Sequence, residues 1–356
     1  MNSPISLVLD PDHGRQLSIR FRLRWRAGQE PVLEELDTFQ PLKLPMGDLA
    51  PLKAETDVFV EGHAYPRAQG GTRGQVALRF GDIRRVVQVI GRRTTVWQQG
   101  RLRFSEAEPF DRIPLAASEA YGGVAGEAPY LRNGAGKGFI TEPEQAEGVE
   151  LPRLEEADDL LTPERLVAGA WWERPRPALF APAIPMLFPR MALFGLATFD
   201  APLDARLREV RDGDLPADLD ARLGRAHPLA FQEAPARSRL GSLVAETEVI
   251  LEGCRPGGAT WRAEAPRAPR VVVTVDGQAT ELVARPQAIR LRPEADELCV
   301  TYAVEHKMHR AFIPGVHARI PITTQVESFV ARYDAPEAIL PRVIAHERTL
   351  LQGGEP

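Results

Sequence analysis

The stretch that decides the fold occurs twice in this chain, as Thr56-Asp57-Val58-Phe59-Val60-Glu61-Gly62 and as Thr247-Glu248-Val249-Ile250-Leu251-Glu252-Gly253. All seven positions match in chemical type, and three apolar residues stand at the centre of each copy. A short apolar run that ends at a glycine is typical of a buried β-strand followed by a turn. The sequence therefore predicts two equivalent strands, one in each half of the chain.

Each copy is followed by a second set of strand signals. Residues 76–81 lead to a further strand at 86–87 in the first half, and residues 271–277 lead to 282–283 in the second half. The same order of strand, glycine turn and hairpin predicts a duplicated β-module. Chance similarity between two short amphipathic strands is the alternative. A repeated unit of this kind suits a scaffold or a composite binding surface better than a single catalytic cleft.

The predicted fold class is mainly β with a few short helices, which is a β-rich α+β protein. The 32 prolines and 29 glycines break long helices and favour short strands joined by turns. We expect two similar antiparallel β-modules joined by a proline-rich segment. The expected parts are a first β-module at 1–139, the proline-rich segment packed on the modules at 140–199, a second β-module at 200–330, and a C-terminal helix and tail at 331–356.

Capping signals predict where the short helices begin. Thr162-Pro163-Glu164 offers an N-cap and a proline at the first helical position, for a helix that ends near Ala168. Asp200-Ala201-Pro202 precedes a stripe of apolar residues and predicts a second helix. Asp334-Ala335-Pro336-Glu337 resembles a capping box ahead of the C-terminal helix.

The N-terminal part contains a strongly alternating segment. Apolar residues occupy every odd position from Leu17 to Trp25, and arginines occupy positions 20, 22, 24 and 26. Alternation with a period of two predicts a half-buried strand. We interpret the arginine face as solvated, and a partner-binding surface is the alternative.

Composition narrows the class of partner and the compartment. Lys and Arg total 44 against 49 Asp and Glu, which gives a formal net charge of −5. A mildly acidic chain is a poor ligand for nucleic acid or an anionic membrane. The sequence shows neither an apolar run of about 18 residues nor a secretory signal pattern, and its two cysteines predict no disulfide framework. We therefore expect a cytoplasmic protein without membrane insertion.

The search for catalytic or metal-binding residues identifies no site. The glycine-rich residues 134–138 lack the spacing of a phosphate loop, and we interpret them as a turn. His306 and His309 are three positions apart on a predicted strand, so they point to opposite faces and cannot share a metal ion. Glu61 and Glu252 recur in the repeat, where a structural role is the simpler account. We predict no catalytic residue, no cofactor and no metal, and we interpret the chain as a binding protein and not an enzyme.

Short motifs rich in glycine, proline and aromatic residues are spread over roughly residues 50–305. The most characteristic reads Gly-His-Ala-Tyr-Pro at 62–66. The motif residues, which we interpret as mostly structural, are Thr56, Asp57, Gly62, His63, Tyr65, Gly91, Trp97, Pro109, Phe110, Pro114, Tyr121, Gly122, Gly123, Asn133, Gly136, Pro189 and Arg190. In this order they resemble DUF2169, a bacterial family catalogued as a domain of unknown function. Residues 180–182 depart from the glycine-rich turn that relatives tend to have there.

The resemblance implies a function that the residues alone do not. Proteins of this kind are typically encoded beside type VI secretion spike and toxin genes. The resemblance therefore implies an effector adaptor or chaperone, with a toxin effector and a spike-tip protein (PAAR or VgrG) as partners. It implies no catalytic residues. The alternatives are a structural component of a phage-tail-like assembly, or an enzyme acting on glycan or peptide in a cleft between the two β-modules.

Overall fold

The computed structural model is a β-rich protein, as the sequence predicts. Strands joined by turns dominate its regular structure, and the described helices are one short α-helix and a few 3-10 turns. The residues that the structure describes are 6–10, 16–26, 29–34, 38–39, 44–45, 53, 55–126, 128–130, 132–169, 173–181, 232–241, 243, 245–275, 278–307, 318–319 and 322–323.

The strands are short because glycine and proline interrupt the chain at close intervals. They are β1 (Ser6–Asp10), β2 (Gln16–Arg26), β3 (Val32–Glu34), β4 (Thr38–Phe39), β5 (Leu44–Pro45), β6 (Thr56–Val60), β7 (His63–Ala64), β8 (Arg73–Phe80), β9 (Ile83–Ile90), β10 (Thr95–Gln98), β11 (Arg101–Phe104), β12 (Ile113–Pro114), β13 (Tyr121–Gly122), β14 (Val124–Ala125), β15 (Ala128–Pro129), β16 (Lys137–Gly138), β17 (Leu154–Glu156), β18 (Arg239–Leu240), β19 (Glu248–Glu252), β20 (Trp261–Glu264), β21 (Arg270–Val275), β22 (Gln278–Val283), β23 (Arg285–Arg292), β24 (Glu297–Lys307), β25 (Ala318–Arg319) and β26 (Ile322–Thr323). The helix α1 is Pro163–Leu166, and the 3-10 turns are Ala117–Glu119, Pro143–Ala146, Ala236–Ser238, Pro256–Gly258 and Pro293–Ala295.

The largest sheet has the strand order β1-β2-β24-β23-β6-β18, with β3 also paired to β2. Its longest pair, β2 and β24, runs antiparallel from Gln16 opposite Lys307 to Arg26 opposite Glu297. β6 lies parallel to β23, whereas the other strand pairs of this sheet are antiparallel. The sheet thus joins strands from both ends of the described chain.

Two further sheets pack around the same core. One has the order β17-β9-β8-β19-β20, and the other has the order β22-β21-β25 with β26 also on β21. A single large cluster of buried apolar side chains draws on all three sheets, for example through Phe21, Leu78 and Val271. Strands that are far apart in sequence therefore share one core.

The strand β2 has the two faces that its alternation predicts. Phe21 and Leu23 are fully buried in the main core. The prediction that the arginine face is solvated is wrong for Arg20 and Arg22, which are only 1% and 4% exposed. Alternation identifies which side chains share a face. It does not reveal whether other parts of the chain cover the polar face.

The outer part of this arginine face carries a network of ion pairs. Arg24 and Arg26 donate to the same carboxylate oxygen of Glu297, at 2.9 and 2.6 Å. Arg292 of β23 donates to Glu61, just beyond β6, at 2.7 Å. These half-buried pairs link neighbouring strands on the side of the sheet opposite the apolar core. Because the arginine side chains keep partial contact with solvent, each pair contributes only about 1 kcal/mol, and the core remains the main source of stability.

The duplicated module is not confirmed. The first heptapeptide forms β6, between β23 and β18 in the largest sheet, whereas the second forms β19, between β8 and β20 in a different sheet. The two segments keep the same local order of strand and hairpin but not the same pairing partners. Gly62 and Gly253 both have positive φ angles, 137° and 78°. The matching heptapeptides thus reflect a shared local requirement for a buried strand ending at a left-handed glycine.

The helix predicted after Thr162 is confirmed as α1. The Thr162 hydroxyl accepts a hydrogen bond from the backbone N–H of Arg165 at 3.3 Å, and Pro163 takes the first helical position. The helices predicted after residues 200 and 334 lie outside the described residues, and the domain boundaries stay predictions. In the parts of the chain that the structure describes, no helix is long and apolar enough to cross a membrane.

Candidate functional site

The Gly-His-Ala-Tyr-Pro motif lies between two sheets, directly after β6. Gly62 has φ +137°, a conformation that favours glycine, and its carbonyl accepts a hydrogen bond from the N–H of Leu115 at 2.9 Å. His63 and Ala64 form β7, which pairs antiparallel with β12. The backbone N–H of Tyr65 donates to the carbonyl of Gly253 at 2.9 Å. These bonds hold the side chains of His63 and Tyr65 at the same edge of the molecule.

His63 and Tyr65 meet the carboxylate of Glu294, which lies in the 3-10 turn between β23 and β24. The Tyr65 hydroxyl donates to Glu294 Oε1 at 2.7 Å, and His63 Nδ1 lies 3.1 Å from the same oxygen. Burial raises the pKa of the Glu294 carboxyl, but the hydrogen bonds from Tyr65 and His63 outweigh burial and hold that pKa below its ordinary value. Burial and the Glu294 carboxylate together raise the pKa of Tyr65. We call these three residues the His63–Tyr65–Glu294 cluster.

The turn that carries Glu294 is fixed by the next acidic residue. Asp296 has φ +54°, and its carboxylate accepts two hydrogen bonds from Arg255 at 2.9 and 3.2 Å. The indole N–H of Trp261 donates to Asp296 at 3.1 Å. These hydrogen bonds fix the turn that carries Glu294 and so fix the position of the His63–Tyr65–Glu294 cluster. A histidine beside a carboxylate and a phenol is a chemically competent set for proton transfer, and about a third of the His63 and Glu294 side chains is exposed.

Sequence reasoning identifies His63 and Tyr65 but not their partner. Glu294 is 231 positions from His63 along the chain, and only the pairing of β6 with β23 brings the turn after β23 to this edge. The proline that precedes Glu294 marks a turn between two strand patterns. That signal predicts a turn but not the histidine that it faces.

Comparison with known proteins places the chain in a family. The model of an uncharacterized family conserved in bacteria, DUF2169, matches residues 20–303. This chain belongs to DUF2169. The match covers well over half of the chain and confirms the predicted membership. No curated protein and no solved structure is significantly similar to the chain.

Asp57, a residue of the DUF2169 motif set, is buried in an ion cluster. Its carboxylate accepts hydrogen bonds from the Lys53 ammonium at 2.7 Å and from the backbone N–H groups of Glu233 and Ala234 at 2.8 and 3.0 Å. Burial alone lowers the pKa of Lys53, but Asp57 and Glu233 outweigh burial and raise it. Asp57 thus ties residues 232–234 to β6, which is a structural role.

A second group of DUF2169 motif residues brings separate backbone segments into close contact. The side-chain amide of Asn133 donates to the carbonyls of Ala117 and Tyr121 at 2.8 and 3.1 Å. Gly122 has φ +148°, and a Cβ there would lie 2.0 Å from the Asn133 carbonyl oxygen. A Cβ at Gly136 would lie 2.5 Å from the carbonyl oxygen of Ala120 and 2.5 Å from the side-chain amide of Asn133. The close approach requires glycine, so these residues determine the fold.

The turn predicted over residues 134–138 is confirmed for Gly134 and Ala135, whereas Lys137 and Gly138 form the short strand β16. Lys137 has a structural role. Lys137 forms ion pairs with Glu119 at 3.1 Å and with Glu150 at 2.9 Å. Burial raises the pKa of Glu119, but the Arg153 and Lys137 side chains outweigh burial and lower it. By pairing with two carboxylates, Lys137 links the segments that carry Glu119 and Glu150. This role is structural and does not involve a phosphate ligand.

The remaining motif residues differ in exposure. Thr56, Gly91, Phe110, Tyr121 and Gly123 are buried, Pro114 is half-buried, and Pro109 is exposed. Trp97 is 48% exposed, although tryptophan is a large apolar residue. Pro189 and Arg190 lie outside the described residues. Exposure separates Trp97 from the buried fold determinants and makes it a candidate contact residue.

The metal prediction concerns His306 and His309. His306 lies in β24 as predicted, and His309 lies outside the described residues. No group of three or more histidine, cysteine, aspartate or glutamate side chains suited to a metal ion occurs among the residues that the structure describes. The expectation that His306 and His309 do not share a metal ion stays a prediction.

Proposed function

We propose that this DUF2169 protein is an adaptor or chaperone that binds a type VI secretion toxin effector and helps load it onto the spike tip. The proposal starts from the resemblance in the motif residues, which associates the family with spike and toxin genes. In this role the protein works in the cytoplasm through protein partners, namely the toxin and a PAAR or VgrG protein. It requires no nucleic acid, cofactor or membrane insertion.

One structural observation carries the proposal beyond the resemblance. Several of the described motif residues hold the backbone together, as Asp57 and Asn133 do through their buried hydrogen bonds. Motif positions that build a scaffold fit a protein whose task is to present surfaces. In a binding protein of this kind the specific contacts are expected on exposed elements that vary with the partner.

The experiment is co-elution of the full chain with the toxin encoded beside its gene. A chaperone that holds an effector is expected to bury on the order of 1,200 Å² or more, and such a complex survives size exclusion. Binding only the folded toxin is also expected to raise the toxin's unfolding temperature by mass action. Deleting the gene is expected to abolish delivery of that one toxin while other effectors still leave the cell.

The other outcomes separate the alternatives. Loss of all type VI secretion on deletion would indicate a structural component of the machine. Normal delivery of the toxin without the protein would contradict the adaptor proposal. A matched control strain carries the gene at a second site, which must restore delivery.

The His63–Tyr65–Glu294 cluster favours a second candidate function, an enzyme that uses His63 as a proton-transfer group. A general base needs a partner that orients the imidazole, and Glu294 occupies that position at 3.1 Å. In that case Glu294→Gln is expected to leave the complex with the toxin intact but to abolish a covalent change in it. Intact-mass spectrometry of the toxin, purified with the wild-type protein and with the variant, tests this. Equal masses would exclude modification of the toxin by this cluster.

A further inference from the structure

The hairpin β10–β11 stands outside the three main sheets. Its strands pair only with each other as a two-stranded sheet among the described residues, with Trp97 opposite Leu102. Gln99 and Gly100 form the connection, with φ angles of 52° and 72°. Two consecutive left-handed residues are the mark of a tight hairpin turn that fixes the register. The register in turn determines which backbone groups point out of the hairpin.

The outer edge of β10 is occupied. The backbone N–H of Thr95 donates to the carbonyl of Val149 at 3.0 Å, and the carbonyl of Thr95 accepts from Gly148 at 3.1 Å. The N–H of Trp97 donates to the Glu147 carboxylate at 3.2 Å. Alternate residues of β10 therefore direct their backbone groups away from β11, as an antiparallel ladder requires.

The same alternation makes Leu102 and Phe104 direct their N–H and carbonyl groups away from β10, along the outer edge of β11. Within the described part of the chain, no residue forms a hydrogen bond with the backbone of these two residues on that side. An edge strand with a free row of donors and acceptors is a template for another strand. Natural proteins use such an edge to capture an extended segment of a partner.

The side chains of β11 divide into two faces. Leu102 and Phe104 pack against the smaller apolar cluster around Tyr121, and the 48% exposed Trp97 lies beside Leu102. Arg101 and Arg103 are exposed on the other face, and neither has an ion-pair partner among the described residues. Tryptophan and arginine are the residues that most often dominate binding energy at protein interfaces.

We infer that the outer edge of β11 receives an extended segment of the toxin as an added β-strand. This inference rests on the proposed adaptor function and names its contact surface. The added strand alternates acidic residues, which face Arg101 and Arg103, with apolar residues, which lie beside Leu102 and Phe104. The exposed side chains of Arg101 and Arg103, for which the described residues supply no carboxylate partner, give this edge the local positive charge that complements an acidic segment.

A protein segment fits this edge better than a nucleic acid. Recognition of nucleic acid rests mainly on phosphate contacts and base contacts, neither of which uses a row of backbone donors and acceptors at strand spacing. The alternating row of N–H and carbonyl groups at Leu102 and Phe104 is matched by another β-strand, which supplies acceptors and donors at the same spacing.

The test separates the backbone of Leu102 from its side chain. Leu102→Pro removes the outward N–H while keeping the hydrogen bonds between β10 and β11, because that N–H does not point at β10. We expect this variant to weaken binding of the neighbouring toxin by about a hundredfold or more, and Leu102→Ala by about tenfold or less. The double reversal Arg101→Glu with Arg103→Glu is expected to abolish co-elution. Arg285→Glu, a charge reversal at an exposed arginine of β23 that also has no ion-pair partner among the described residues, is the control and leaves binding unchanged.

Hydrogen exchange of the backbone amides tests the same inference on the wild-type protein. The amides of Leu102 and Phe104 are expected to exchange rapidly in the free protein and to become protected in the complex with the toxin. Wild-type affinity in both the proline and the double-reversal variants, with no new protection, would overturn the docking inference while the adaptor function stands. If wild-type protein forms no complex with the toxin, both proposals fail. A single-stranded DNA oligonucleotide could instead bind in an arginine-dependent way while the toxin leaves the Leu102 and Phe104 amides unprotected. That result would contradict the inference that a protein segment binds this edge.

Discussion

The buried ion cluster at Asp57 yields the sharpest stability prediction. Asp57→Ala removes a fully buried carboxylate that accepts three hydrogen bonds, from Lys53 Nζ at 2.7 Å and from two backbone N–H groups at 2.8 and 3.0 Å. Among the described residues, the Lys53 ammonium then keeps the Glu233 carboxylate alone, at 2.9 Å. The perturbation therefore leaves a buried cation short of one partner and two buried N–H groups without an acceptor.

The expected loss follows from these contacts. Removing one partner of a buried ion pair costs about 3–5 kcal/mol, and each orphaned buried N–H costs about 1–3 kcal/mol when it stays dry. The terms are not additive because Glu233 remains and the cavity can admit water. We expect a loss of about 4 kcal/mol in the free energy of unfolding. At about 2 °C per kcal/mol for a chain of this size, Tm falls by about 8 °C.

Thermal unfolding followed by circular dichroism measures this effect, with Asp158→Ala as the matched control. Asp158 forms an ion pair with Arg237 at 2.6 Å, but its side chain is 57% exposed. A surface pair of this kind contributes about 1 kcal/mol at most, so Tm is expected to fall by about 2 °C or less. Equal shifts in Tm for the two variants would refute the view that the Asp57 cluster stabilises the fold.

Three further predictions concern packing, acidity and thiol access. Gly91→Ala places a Cβ 1.8 Å from a backbone carbonyl oxygen, so the free energy of unfolding measured by chemical denaturation is expected to fall by about 2 kcal/mol or more. The control is Gly169→Ala, whose Cβ has no atom within 4 Å and is expected to cost less than about 0.5 kcal/mol. The folded pKa of Glu119 is lowered from 4.5, so its stabilisation is present above that value and lost as the pH falls through the folded pKa. Tm is thus expected to drop below about pH 4.5, with a shallower slope for Glu119→Gln, and an unchanged slope would contradict this role. Burial raises the pKa of the Cys254 and Cys299 thiols, so a thiol reagent at pH 8 is expected to label the folded protein slowly and the unfolded protein fast. Rapid labelling of both forms would show that the thiols are accessible in the folded protein.

The sequence by itself determined the local features of this protein. Alternation in β2 identified the apolar face with Phe21 and Leu23, because side chains two residues apart share a face. The cap at Thr162 and the proline after it located α1, because capping depends on residues within one turn. The motif residues identified the family, and glycine and proline density indicated a mainly β fold. Each of these inferences uses interactions between residues close together in the chain.

The tertiary structure alone decided how the strands combine. The matching heptapeptides have the same local pattern, yet β6 and β19 join different sheets, because pairing depends on partners far away in sequence. Arg20 and Arg22 are buried by segments that alternation cannot reveal. Glu294 reaches His63 only because β23 lies beside β6. A pleated strand specifies its two faces by itself, but its neighbours are chosen by the burial and hydrogen bonding of the whole chain.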